Sequence, residues 1–239
     1  MSRLHVETHG TGEPLVWLHG HMGTGTDWRY VFGEPPAGYQ LIAPDLRGHG
    51  QSEGDSPTYS FEQSAHDVFA RLDDLGVDRA RLIGLSGGGI TALHMATLQP
   101  SRITAMVIVS APARFPDQAR AIQRTFSAAM LGEVEAAHMR VRHPRPGQFE
   151  TLIAQVRAMA DGSDPNFTPQ QLAAITADTL IVFGDRDPLY PLSLAVDLRQ
   201  SIPRSWLWVV PNGGHGPVFG DAAPRFAETA LAFLAGRFA

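Results

Sequence analysis

The 239-residue chain has neither cysteine nor lysine; all 19 of its basic residues are arginine. The missing cysteine excludes disulfides, zinc–thiolate centres and thiol nucleophiles. The missing lysine excludes Schiff-base chemistry and a covalently held pyridoxal cofactor. It also excludes a Walker phosphate loop, whose lysine must reach the terminal phosphates. Long apolar runs are absent too. None approaches the roughly 18 residues of a membrane span, and residues 1–20 carry no charged-then-apolar leader, so a cytoplasmic location and no membrane partner are expected. The net charge is −5 and the arginines are scattered rather than gathered in a stripe, which points away from nucleic acid and towards a small-molecule ligand.

What is present is a rhythm. Short apolar runs bounded by turn residues recur as LHVETHG, PLVWLHG, YQLIAPDL, RLIGLS, ITAMVIVSAP, TLIVFGD and SWLWVVPNGG. Between many of them lie segments with helical periodicity, at 60–76, 87–100, 191–203 and 223–238. Buried strands alternating with helices predict an α/β fold, a mostly parallel sheet with helices on both faces. The first two runs are joined by the turn signal TGEP and are expected to form a hairpin at the antiparallel edge. From 113 to 177 the strand rhythm stops, and helical patterns punctuated by HPRPG and DGSDPNFTP take over. That segment is expected to be a helical lid between two late strands, with 1–112 and 178–239 forming a single core domain.

The stretch RLIGLSGGGITA, residues 81–92, combines an apolar run, glycines and the start of a helix. Gly87, Gly89 and Ala92 fit the dinucleotide pattern G-x-G-x-x-A, but no acid about 20 residues further on is available for a ribose. The other reading is a turn that holds up a nucleophile: Gly84-Leu85-Ser86-Gly87-Gly88 has G-x-S-x-G spacing, with small neighbours around a strained serine. A serine needs a base, and the base needs an orienting acid. Both appear after later strand-like runs. Asp185 and Asp187 follow TLIVFG, and His215 stands in the glycine-rich loop after SWLWVV. The nucleophile also needs backbone N–H donors for the oxyanion, and Gly87, directly after Ser86, is placed to be one.

Taken together, these segments resemble the α/β-hydrolase fold family. Its acid-bearing G-x-x-D-P pattern aligns with Gly184-Asp185-Arg186-Asp187-Pro188, which implies Asp187 as the acid and Asp185 as a loop residue. PLVWLHGHMG resembles the family's His-Gly loop, implying the His21 N–H as the second oxyanion donor, with Met22 as the alternative if the loop is shifted by one. His19 and Gly20 would shape that turn. APDLRGHGQS resembles the D-x-R-G-x-G-x-S loop, and an Asp45–Arg47 ion pair would account for its acid and its arginine; His49 there is read as structural. The resemblance implies a serine hydrolase with a Ser86–Asp187–His215 triad, acting on a small or medium carboxylic ester, thioester or lactone. Family members that cleave carbon–carbon bonds, or act as cofactor-free haloperoxidases or perhydrolases, share the triad. Others serve as non-catalytic ligand receptors. Haloalkane dehalogenases and epoxide hydrolases carry aspartate where this chain has Ser86, and hydroxynitrile lyases of this fold rely on a lysine.

No cofactor is required by this chemistry and no metal is expected. His19 and His21, two apart on a strand, share a face, but no third ligand follows at suitable spacing. His66 and His94 fall in helical segments as partly buried or surface residues. His138 and His143, beside Arg140, Arg142 and Arg145, are expected on a solvated lid face; recognition of an acidic substrate group is the sharper alternative.

Overall fold

The computed structural model describes residues 3–54 and 56–237. Every apolar run singled out in the sequence contains a strand: β1 Val6–His9, β2 Glu13–Leu18, β3 Tyr39–Pro44, β4 Ala80–Leu85, β5 Ile103–Val109, β6 Asp178–Gly184 and β7 Ser205–Val210. They form one sheet in the order β1-β3-β2-β4-β5-β6-β7, parallel throughout except for β1. The expected hairpin is corrected here. β1 is the antiparallel edge strand, but its partner is β3, with Val6 opposite Pro44 and His9 opposite Leu41. The Gly10–Gly12 link steps over the start of β3 instead of folding β1 back onto β2: the Cα of Gly12 sits against the Gly38 carbonyl, where a Cβ would overlap it. The turn signal was real, but pairing is decided by which strand fills the space beside β1.

The helices, in chain order, are α1 Arg29–Phe32, α2 Phe61–Asp74, α3 Gly87–Leu98, α4 Asp117–Thr125, α5 Ala128–Leu131, α6 Glu133–Arg142, α7 Gln148–Met159, α8 Pro169–Ala173, α9 Leu192–Ser201 and α10 Ala223–Leu234. Period-2 alternation along the strands feeds two cores. Val16 and Leu18 of β2, Met106 and Ile108 of β5, and Ile181 and Phe183 of β6 face the layer that contains α2, α3 and α9. Leu15, Trp17, Val107, Val109, Leu180 and Val182 face the opposite layer, closed by Phe226 and Phe233 of α10. Helix α3 lies within the first core and is buried on nearly every side, consistent with its almost wholly apolar sequence. Among the described residues no helix is long and apolar enough to cross a membrane.

Between β5 and β6 the described chain contains helices α4 to α8 and no strand of the sheet. The segment is tied at its base by an antiparallel bridge between Arg114 and Asn166, with the Phe167 N–H donating to the Ala113 carbonyl at 3.0 Å. A second tie is Asp164. Its Oδ2 accepts from the Phe61 N–H at 2.7 Å, capping α2 together with Ser60, and its Oδ1 meets His94 Nε2 at 2.7 Å. A smaller third core, built on Phe149, Leu152 and Ile153 of α7, is packed within the segment and takes in Met22 from the sheet side.

The sharpest steric demand in the fold is at Gly88. A Cβ there would collide with the carbonyl oxygens of Leu18 and His19, both rigid backbone. Gly88→Ala is therefore expected to destabilise the protein by about 1–3 kcal/mol or more, the range for overpacking a filled site. Urea denaturation reads this as a lowered midpoint with an unchanged slope; a midpoint equal to the parent's would mean that the α3 terminus is free to shift.

Candidate active site

The strand-to-helix turn after β4 puts Ser86 in an unusual backbone conformation, with φ +50° and ψ −115°. A side-chain-bearing residue adopts positive φ only at a cost, about 1–3 kcal/mol, and only where its surroundings enforce it. Here they do: β4 ends, α3 begins at once, and Gly84 and Gly88 lie so close that a Cβ on Gly84 would strike the Gly88 carbonyl. The outcome is a serine lifted clear of the sheet's carboxyl edge and only partly buried.

Two loops from later strands arrive at that serine. After β7, His215 places Nε2 2.9 Å from Ser86 Oγ. After β6, Asp187 places Oδ2 2.9 Å from His215 Nδ1. Because a carboxylate can only accept, Nδ1 carries the proton and Nε2 offers its lone pair to the Ser86 hydroxyl. The Asp187 side chain is fully buried and its other oxygen accepts from the Leu189 and Tyr190 N–H groups at 2.8 and 3.2 Å. Asp185 is exposed at the loop surface. The structure thus brings Ser86, His215 and Asp187 together and leaves Asp185 outside.

The expected oxyanion donors also lie side by side. Gly87 is the first residue of α3, so its N–H has no partner within the helix. The His21 backbone nitrogen stands 3.3 Å from where a Cβ on Gly87 would be. The alternative donor is otherwise engaged, since the Met22 N–H donates to His49 Nε2 at 3.1 Å. Above these groups opens a cavity of about 510 Å³. Its floor is Ser86, Gly87, His21 and His215, and its walls are mostly apolar, including Phe61, Phe115 and Ile90 from the core and Phe126, Val156 and Met159 from the inserted helices.

The chain as a whole has known relatives. Residues 15–229 match the model of the alpha/beta hydrolase family. The chain belongs to that family. Among curated proteins it is 30% identical to 2-hydroxymuconate semialdehyde hydrolase of Pseudomonas sp. (strain CF600), an alignment that takes in 98% of this chain and 90% of that one. It is also 30% identical to the serine hydrolase BPHL of Homo sapiens, over 96% of this chain and 83% of the other. Among solved structures, the meta-cleavage product hydrolase of Pseudomonas fluorescens IP01 superposes with a TM-score of 0.80 at 21% identity, covering 99% of this chain and 96% of that one.

In this α/β-hydrolase the loop at His21 and Met22 is held from behind by neutral imidazoles. The Gly23 N–H bonds to the Gly20 carbonyl at 2.9 Å, closing a turn whose third residue, Met22, has φ +71°. That position ordinarily favours glycine. Its peptide groups are gripped on both sides: His49 Nε2 accepts from the Met22 N–H, and His143 Nε2 donates to the Met22 carbonyl at 2.9 Å. His143 Nδ1 also accepts from the Gly50 N–H at 2.9 Å, and His19 Nε2 accepts from the Leu46 N–H at 2.9 Å. His19 Nδ1 and His49 Nδ1 in turn donate to the Gly20 and Arg47 carbonyls at 2.7 and 2.9 Å, so each of these rings is both a donor and an acceptor, which only the neutral form can be. Among the described residues no three His, Asp or Glu side chains converge as a metal-binding set.

Two expectations are corrected by this network. Asp45 and Arg47 do not pair: Asp45 accepts from the Gly25 and Gln51 N–H groups at 2.7 and 2.8 Å, while Arg47 Nε reaches Asp67 at 2.7 Å. Side chains two apart leave a tight loop in different directions: the Asp45 carboxylate is met by backbone N–H groups, whereas Arg47 meets the carboxylate of Asp67. His143 is not on a solvated face; it is buried against the loop at Met22, whereas His138 is exposed. Sequence reasoning also missed Tyr190, whose ring lies 5.2 Å from that of His215 and whose hydroxyl burial pushes above its ordinary range. Its place three residues after Asp187, within the same loop, was the available signal.

Burial holds His143 down at about 4 and His21 at about 3, and holds His19 and His49 below the ordinary histidine range. In the unfolded chain such groups titrate near 6.5, so below that pH the unfolded state takes up protons that the folded state refuses. Stability from His143 and His21 is complete above 6.5 and is lost as the pH falls towards 4, by about 1.4 kcal/mol per pH unit for each of the two; His19 and His49 add to the fall in the same direction. Denaturation midpoints measured from pH 6.5 down to about 4.5 should fall steeply. His143→Gln, whose carboxamide can still accept from Gly50 and donate to Met22, should flatten that fall by up to one proton; an identical slope would mean that His143 charges in the folded state.

Proposed function

We propose that this α/β-hydrolase is a serine hydrolase that cleaves uncharged carboxylic esters, thioesters or lactones through an acyl-enzyme intermediate. The observation that carries the reading is the hydrogen-bonded run Asp187–His215–Ser86 opening onto an apolar cavity. His215 Nε2 takes the Ser86 proton as Oγ attacks the acyl carbon, and Asp187 stabilises the imidazolium that forms. The His21 and Gly87 N–H groups meet the negative charge that develops on the carbonyl oxygen. The tetrahedral adduct collapses as His215 gives its proton to the departing alkoxide or thiolate. Water, deprotonated by the same imidazole, then attacks the acyl-serine and releases the acid and the free hydroxyl of Ser86. In this reading 113–177 is a lid that supplies the cavity wall and keeps bulk water from the acyl group.

The cavity wall bears on substrate charge. The arginines of the inserted helices are committed away from it: Arg120 to the carbonyls of Ala160 and Gly162, Arg124 to Asp161, Arg140 to Glu150, and Arg142 to Asp27 and Thr24. A substrate carboxylate inside would be desolvated without a cationic partner, at a cost of several kcal/mol. This supports neutral acyl groups over acids. Carbon–carbon bond cleavage is the second reading, favoured by the 30% identity to 2-hydroxymuconate semialdehyde hydrolase.

A fluorophosphonate probe is expected to label Ser86, identified by a mass shift on its peptide; no labelling with several probes would favour a ligand receptor. Ser86→Ala and His215→Ala should each lower kcat by about 10⁵-fold or more and Asp187→Asn by about 10⁴-fold, with cooperative unfolding retained. Asp185→Asn should stay within a fewfold of the parent. Loss of turnover in Asp185→Asn with activity kept in Asp187→Asn would reverse the assignment of the acid. In a panel of nitrophenyl esters and vinylogous diketones, kcat/KM should favour the esters, and the opposite order would install the carbon–carbon reading.

A further inference from the structure

The wall contributed by the inserted helices is apolar with one exception. Gln123 of α4 lines the cavity together with Phe126, Leu131, Met139, Val156 and Met159. Its side chain is only 6% exposed, and Oε1 is fully buried yet accepts no hydrogen bond. Buried polar atoms are nearly always paired, and an unpaired one is costly enough to demand a reason. A leucine or methionine would line the same wall without that cost, so nothing about packing calls for a carboxamide here.

We propose that Gln123 is a specificity-determining residue: its carboxamide receives a neutral hydrogen-bonding group, a hydroxyl or carboxamide, carried by the substrate remote from the carbonyl that Ser86 attacks. The inference rests on the esterase reading of the site and narrows it to hydroxy- or carboxamide-bearing esters and lactones. A hydroxyl or carboxamide both donates and accepts, so it satisfies the glutamine amide in either orientation. A charged group does not suit the position, because no arginine lines the cavity. A plain alkyl chain fits the walls but leaves the carboxamide unpaired, so it forgoes the hydrogen bond that a chain ending in the right place gains.

The test is a comparison across two variants and matched substrates. Nitrophenyl esters of ω-hydroxy and ω-carboxamido alkanoic acids are set against the unsubstituted acids over a range of chain lengths. Acetates of ω-hydroxy alcohols against plain alkyl acetates cover the alcohol side. The quantity read is the ratio of kcat/KM for the polar member to that for the plain one. Gln123→Leu and Gln123→Met should each lower that ratio by about tenfold or more at the best-fitting length, while turnover of the plain ester holds or rises. An unchanged ratio at every length on both sides overturns the proposal. So does loss of all turnover in both variants, which would make Gln123 a structural residue. If the parent protein hydrolyses neither member, the esterase reading has failed instead, and calorimetric Kd values for α,ω-diols against alkanols, in the parent and in Gln123→Met, still decide whether this amide selects a polar group.

Discussion

The site depends on backbone meeting backbone at the carboxyl edge of the sheet. The N-terminus of α3 is pressed against the end of β2 because Gly88 places nothing between itself and the Leu18 and His19 carbonyls. The same approach recurs between β6 and the loop after β7, where a side chain on Gly184 would overlap the carbonyls of Gly213 and Gly214. These contacts draw the turn bearing Ser86, the loop bearing Asp187 and the loop bearing His215 into one space, and they bring the Gly87 and His21 amides alongside each other. Backbone is the least compliant part of a protein, so a constellation built on such contacts is fixed before any ligand arrives.

Behind that surface lies a second requirement, electrical neutrality in a crowded group of imidazoles. The rings of His19 and His21 lie 5.0 and 4.6 Å from that of His49, and His143 lies 5.8 Å from it. A proton on any of them would remove an acceptor from a loop amide or set like charges against each other in a desolvated pocket. The neutral forms instead work as two-ended clamps, and one of them, His143, comes from the inserted helices. The turn at His21 and Met22, with Met22 in a left-handed conformation, is thereby held by His49 from the loop after β3 on one side and by His143 from the helices between β5 and β6 on the other.

The insertion contributes more than a covering. Its arginines are spent on internal carbonyls and surface carboxylates, which leaves the inner wall free of fixed charge, while Arg142 anchors it to Asp27 near the start of α1. An apolar chamber over a polar floor concentrates its recognition in very few groups, so a single unpaired amide in that wall carries more weight than it would on an open surface.

The sheet and its helices were legible in the sequence because periodicity is local: runs such as TLIVFG and SWLWVV bury alternate residues wherever they are placed, and Ser86, Asp187 and His215 each follow such a run. The G-x-x-D-P pattern pointed to Asp187 over Asp185, and in the fold Asp187 is buried against His215 while Asp185 is exposed. What the sequence could not convey were pairings between distant segments. β1 lies beside β3 instead of β2; Arg47 turns to Asp67 and not to Asp45; His143, 121 residues from Met22, locks its carbonyl. Gln123 reads in sequence as one more polar residue on a helix, and only the folded chain places it on the cavity lining with its Oε1 buried and unpaired. Local chemistry and spacing determined the elements and picked out the candidate reacting groups; the tertiary structure decided their neighbours, because which donor meets which acceptor depends on the few ångströms that only the folded chain defines.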